Sequence, residues 1–266
     1  MTIANHRRPA SALSVIGLCL FAAGVGQAQD IAQPTLSSGR DWHLTFASYL
    51  WASGVSGTTR TLPPLPPATV DLSFGDSLEA LKDLDGGLIA TLFARKDRLL
   101  LLLDINWISL SPSQTLSFQG QSVTLDAETK TVTLMPAIGY RLHDDGRNVI
   151  DVYAGVKLWH MENSASITPA VVTPNALSVD ETWVDGVIGG QIRVNFSDRA
   201  YFNVLGFLGA GGSKHYADIY GGFGYAVSKK LDAYVGYRVM QVEHENGAFL
   251  YDVTQEGPLL GIAAKF

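Results

Sequence analysis

The chain has one cysteine among its 266 residues, Cys19, and it lies ahead of the region that reads as the folded domain. Disulfides, thiolate-metal sites and a cysteine nucleophile are therefore excluded from that domain. Beyond residue 28 no apolar run approaches the roughly 20 residues that a membrane-spanning helix requires. The longest is Leu99 to Leu103, extended by Ile105. Basic residues are also in deficit, 19 Lys and Arg against 25 Asp and Glu, and an acidic balance argues against nucleic acid as a partner. No His, Asp or Glu cluster has metal-ligand spacing. The stretch Gly209-Ala210-Gly211-Gly212 precedes no helix that could cradle a phosphate. No cofactor is expected.

What is present begins with a leader. His6, Arg7 and Arg8 come with no acid, an apolar stretch runs from Ala10 to Val25, and Gly26-Gln27-Ala28 supplies small residues for cleavage. This predicts a signal peptide over residues 1–28, followed by a short periplasmic segment over 29–40. Leu18 stands where a lipoprotein signal would place a small residue before its cysteine. Without Arg7 and Arg8 the chain carries 17 bases and 25 acids, a net charge of −8.

From Trp42 onward the sequence breaks into alternating segments of about ten residues, the length that crosses a bilayer at a tilt. These are 42–52, 86–95, 98–110, 129–142, 149–161, 182–196, 200–210, 216–227, 231–242 and 250–266. The fold expected over residues 41–266 is an all-β transmembrane antiparallel up-and-down barrel of about ten strands. Eight remain open if 250–256 is loop, and 68–74 and 115–125 could be hairpin extensions above the membrane. Tight charged turns, such as Lys96-Asp97 and the Asp145-Gly146 pair, fall on one side and longer loops mostly on the other. The first long loop holds the stiff run Leu62-Pro63-Pro64-Leu65-Pro66-Pro67. Behind it, Asp76 and Glu79 have capping-box spacing, and Leu78, Leu81 and Leu84 share a helical face.

One face of the segments is apolar: Leu44 and Phe46, Leu101 and Leu103, Ile138, Val152 and Val156, Ile188 and Ile192, Val235 and Val239. The other carries Arg95, Asp104, Arg141, Asp151, Lys157, Asp185, Arg193, Asp218 and Arg238, with glycines 139, 155, 189, 222, 224 and 236 between them. A soluble barrel with its apolar face inward would alternate in the same way. Three features favour the membrane form. Trp42, Tyr140, Tyr225 and Tyr237 lie on the apolar face, mostly toward segment ends, as interfacial aromatics do. The ionic face mixes both signs at similar depth, and the glycines sit where a small barrel has least room. Arg95, Lys157, Arg193 and Arg238 can pair with Asp104, Asp151 and Asp185, either filling the interior or lining a narrow path for ions.

The last segment alternates Leu260, Ile262, Ala264 and Phe266 against Gly261, Ala263 and Lys265. A terminal Phe after a secretory leader is the pattern that outer-membrane barrels present to their assembly machinery. Tyr49-Leu50-Trp51-Ala52-Ser53-Gly54, Val70 to Phe74, Ala94-Arg95-Lys96, Gly155 with Lys157 and Trp159, Trp183-Val184-Asp185, Gly236-Tyr237-Arg238 and Gly257 to Gly261 resemble small Gram-negative outer-membrane barrels of the OmpA/OmpW-like group. The resemblance implies fold and location, with lipid and lipopolysaccharide as surroundings, and no activity. Leu205 and Phe207 depart from it, because they put apolar bulk on the lumen face and argue against a wide aqueous pore. A monomeric, non-enzymatic envelope protein with a structural or surface-contact role is expected, with a narrow passive pore as the alternative. A weaker alternative is an omptin-like hydrolase at the rim, for which His160, Asp185, Glu243 and His244 are the candidates. Ser48, the polar residue on its strand's apolar face, has no identifiable activator.

Overall fold

Alternation with a period of two buries one face of a strand, and closure of the ladder leaves no backbone edge unpaired, so these segments curl into a barrel. The computed structural model describes residues 41–79, 83–118, 121–168 and 176–266. The leader with its cleavage site, segment 29–40 and Leu81 lie outside the described residues.

In chain order the elements are β1 (His43–Trp51), β2 (Gly54–Arg60), β3 (Ala68–Leu72), α1 (Phe74–Glu79), β4 (Leu84–Lys96), β5 (Leu99–Leu110), β6 (Ser113–Phe118) and β7 (Gln121–Asp144). Then follow β8 (Asn148–Thr168), β9 (Ala176–Asn195), β10 (Ala200–Gly211), β11 (Ser213–Ala226), β12 (Leu231–Asn246) and β13 (Phe249–Lys265). Ten of them, β1-β4-β5-β7-β8-β9-β10-β11-β12-β13, pair antiparallel with their neighbours, and β1 closes on β13 from Thr45↔Lys265 to Trp51↔Leu259. The terminal Phe266 belongs to this seam, its N–H donating to the Leu44 carbonyl at 2.9 Å.

Ten strands, not eight, make the wall, because Leu250 to Glu256 is strand paired to both β12 and β2. The loop-side stretches hold more strand than expected. β2 continues the line of β1 past Ala52-Ser53, β3 folds back on β2, and β6 continues β5 and pairs with the start of β7. At the same end β10 joins β11 through Gly212 alone, and β12 joins β13 through Gly247-Ala248. At the opposite end the tight turns lie where the sequence puts them. Asp145 caps one of them by accepting the Arg147 N–H at 2.9 Å, and Gly146 takes a φ of 85° that favours glycine.

The helix differs from its expectation. Its cap is Ser73, whose N–H donates to the Asp76 carboxylate at 2.8 Å while its hydroxyl accepts the Asp76 N–H at 3.3 Å. The reciprocal pair is thus Ser73 with Asp76 instead of Asp76 with Glu79. The described helix spans Phe74–Glu79, and Leu84 opens β4.

The apolar face points outward. Ile188 is 67% exposed and Leu260 59%, whereas Asp185 is 0%, Lys157 1% and Asp151 2% exposed. Trp42, Tyr140, Phe196, Tyr225 and Phe266 project outward near the tight-turn end, as a belt at one interface. Tyr237 also points outward, but it sits in mid-strand opposite Pro258 and Gly221, away from either end.

Candidate functional site

Residues two apart on one strand share a face, so each inward ion brings its neighbours of the same parity into the lumen. At mid-height the β12 guanidinium of Arg238 clamps Asp218 of β11 through Nε to Oδ1 at 2.8 Å and Nη2 to Oδ2 at 2.6 Å. Tyr216, two residues before Asp218, donates its hydroxyl to Oδ2 at 2.8 Å. Arg238 also donates to the Tyr49 hydroxyl across the closing seam and lies 4.7 Å from the Trp51 ring centre. A bidentate pair whose carboxylate takes a third hydrogen bond, from Tyr216, is what allows two charges to be held away from water.

The remaining mid-height ions are not paired as expected. Lys157 stands over the rings of Trp159 and Tyr216, at 4.8 and 5.0 Å from their centres. No acceptor lies within hydrogen-bond reach of its ammonium among the described residues. Asp185 accepts Trp159 Nε1 at 3.0 Å, and the Ser213 N–H and hydroxyl at 2.6 and 2.8 Å. Asp104 accepts Thr91 at 2.9 Å and Asn106 at 2.7 Å. Neutral donors therefore hold two of the three carboxylates in this layer.

On the tight-turn side of the layer lies a cavity of about 880 Å³. Arg141 binds Asp151 on its wall at 2.9 and 3.0 Å and Asp144 at 2.8 Å. Lys265 donates to Asp232 at 2.6 Å and Tyr201 to the same carboxylate at 3.1 Å. Arg193 stacks 3.6 Å from the Tyr201 ring centre and donates to Asn195 at 3.0 Å, not to an acid, and Arg95 lines the same cavity. On the loop side lies a smaller cavity of about 90 Å³, and Arg238 borders both.

The nine ionic residues singled out by parity thus divide between two levels. Asp104, Lys157, Asp185, Asp218 and Arg238 stand in the mid-height layer, and Arg95, Arg141, Asp151 and Arg193 in the tight-turn half. Sequence reasoning missed the rings that complete the layer, although Trp159, Trp183 and Tyr216 each lie two residues from a chosen ion. It also missed the Lys265 and Asp232 pair.

The rim candidates separate by face. His160 points outward, hydrogen bonded to Thr182 at 2.7 Å and Glu162 at 2.9 Å. Glu243 binds Lys214 at 2.8 Å. His244 faces the lumen, stacked on Trp183 at 4.0 Å, with Nδ1 on the Gly212 carbonyl at 2.8 Å and Nε2 on Glu181 at 3.1 Å. Both ring nitrogens are thus engaged by oxygen atoms of the protein. Ser48 donates to the Ile89 carbonyl at 3.0 Å, a tie between β1 and β4. Phe207 is buried in the lumen with its ring centre 6.0 Å from that of Tyr153.

No protein-family model matches the sequence, and no curated protein matches it. Among solved structures the chain is similar to the outer membrane protease OmpT from Escherichia coli, with a TM-score of 0.57 and 9% identity over 87% of this chain and 99% of that one. It also aligns with the translocator domain of the autotransporter NalP from Neisseria meningitidis, at a TM-score of 0.45 and 8% identity over 86% and 89% of the two chains. At these identities only the architecture is comparable, and the second superposition is too loose to argue from. The chain has the closed ten-stranded antiparallel fold of outer-membrane β-barrels.

Proposed function

We propose that this is an integral outer-membrane protein of a Gram-negative bacterium, with tight turns in the periplasm and loops outside. In this reading its lumen is closed at mid-height, and its role is structural or one of surface contact. The observation that carries the reading is the mid-height layer of Arg238, Asp218, Tyr49 and Lys157 between the two cavities. Ions held this tightly by fixed partners fill a bore more readily than they conduct through it. Lipid and lipopolysaccharide would surround the apolar belt, the strand ending at Phe266 would be offered to the barrel assembly machinery, and the protein would act as a monomer.

Two measurements test this. The folded protein in detergent should migrate differently on a gel before and after boiling, and it should give no conductance steps in a planar bilayer. Steps that change with Arg238→Ala would establish the narrow pore instead. A mature chain that folds and stays soluble in buffer without amphiphile would overturn the membrane assignment.

The fold shared with a protease keeps a rim hydrolase as the second reading, with the inward His244 and Glu181 as its seat among the described residues. The engagement of both His244 nitrogens weighs against it. A peptidase and esterase screen on folded protein, negative across substrates, removes it.

A further inference from the structure

The loop-side cavity of about 90 Å³ is bordered by donors that have nothing to donate to. Trp51 Nε1 and Asn163 Nδ2 are buried without a hydrogen-bond partner, in residues 5% and 4% exposed. Indole N–H can only donate, and a buried donor left unmet is destabilising. Lys157, 1% exposed, borders the same space with its ammonium against ring faces only. Among the described residues no acidic side chain lines the cavity. The carboxylates nearest Lys157 are Asp104, Asp185 and Asp218, and each is turned to other donors. The remaining wall mixes aliphatic side chains, Ile89, Ile108, Val253 and Met240 among them, with five threonines and Arg238.

We propose that this cavity binds a small monocarboxylate, its oxygens on Lys157 and Trp51 Nε1 and its short apolar body against the aliphatic side chains. At about 30 Å³ per molecule the volume equals about three waters, room for the carboxylate and first carbon atoms of a short chain such as butyrate. The site does not depend on the lumen being closed, so a conducting barrel would leave it in place.

The test is saturation-transfer NMR and calorimetry with butyrate on heat-modifiable protein in a non-ionic detergent. Butyramide, of the same size and uncharged, serves as the comparison. Butyrate should bind at least tenfold more tightly than butyramide, and Lys157→Met should abolish that preference. Trp51→Phe, which keeps the ring and removes the donor, should weaken butyrate severalfold even if Lys157→Met fails to fold. Arg193→Gln, in the other cavity, should leave binding unchanged. Absence of butyrate binding, equal binding of the two probes, or indifference to Trp51→Phe would show that the donors serve water alone and overturn the site.

Discussion

The same ten strands line both halves of the lumen, yet the halves solve the problem of enclosed charge differently. In the tight-turn half the bore is wide, and the chain sets ion against ion: Arg141 on Asp151 and Asp144, Lys265 on Asp232. From mid-height toward the loops, aromatic rings crowd the lumen, and most ions are held by indoles, hydroxyls and ring faces, with Arg238 on Asp218 and His244 on Glu181 as direct contacts. Around the cavity of about 880 Å³ a cation reaches each of these buried acids directly, although Asp151 is 2% and Asp232 1% exposed. Where side chains exclude solvent, each charge needs its own set of fixed donors or acceptors.

The comparison is broken most severely at the boundary. Arg238→Met leaves Asp218 buried without a cation, and loss of one partner of a buried pair costs about 3–5 kcal/mol. The variant should show a large fall in its urea midpoint in detergent or fail to become heat-modifiable. The double variant Arg238→Met with Asp218→Asn should recover most of the loss, since neither charge remains. Equal damage from single and double variants would mean that packing, not pairing, matters at this level.

Arg141→Met probes the wider half. It removes charge-assisted hydrogen bonds to two carboxylates, worth about 1.5–3 kcal/mol, but water in the cavity can reach those acids in its place. A midpoint shift smaller than that of Arg238→Met is expected. A larger one would erase the distinction between the halves.

How much of this was legible follows from what each signal measures. Strand positions, face assignment and the tight turns came from alternation and turn residues, both local properties. The depth at which an ion sits depends on register between strands, so parity brought Arg141 and Arg238 to one face without showing that Asp151 and Asp218 would be their separate partners. Cross-strand partners such as Trp183 with Ser213, at 2.9 Å, have no local signature. Glycines were visible as lumen residues but not as seats for rings. An added Cβ at Gly224 would stand 2.0 Å from Cζ of Tyr201, so Gly224→Ala must displace that ring at a cost of about 1–3 kcal/mol. The same substitution in a Tyr201→Ala background should cost less, and an unchanged penalty would place the strain elsewhere.

The smallest effect is expected outside the lumen, at the rim, where Lys214 binds Glu243 and Glu245, each at 2.8 Å. Hydrogen bonding to Lys214 holds both carboxyls below their ordinary value of 4.5, and the same bonds, first that to Glu243, raise the ammonium above its ordinary 10.5. The carboxylate contribution is therefore complete above pH 4.5 and fades as pH falls through the depressed values in the folded state. The lysine contribution is complete below pH 10.5 and fades as pH rises through its raised value. His215 also faces Glu243, its Nδ1 3.3 Å from the carboxylate, and the solvent exposure of the cluster screens the attraction. Lys214→Ala should leave the urea midpoint unresolved from wild type at pH 7 in about 0.15 M salt, with a small loss emerging only at low ionic strength. A midpoint shift as large as that of Arg141→Met would mean that enclosure is not what gives an ion pair its weight in this barrel.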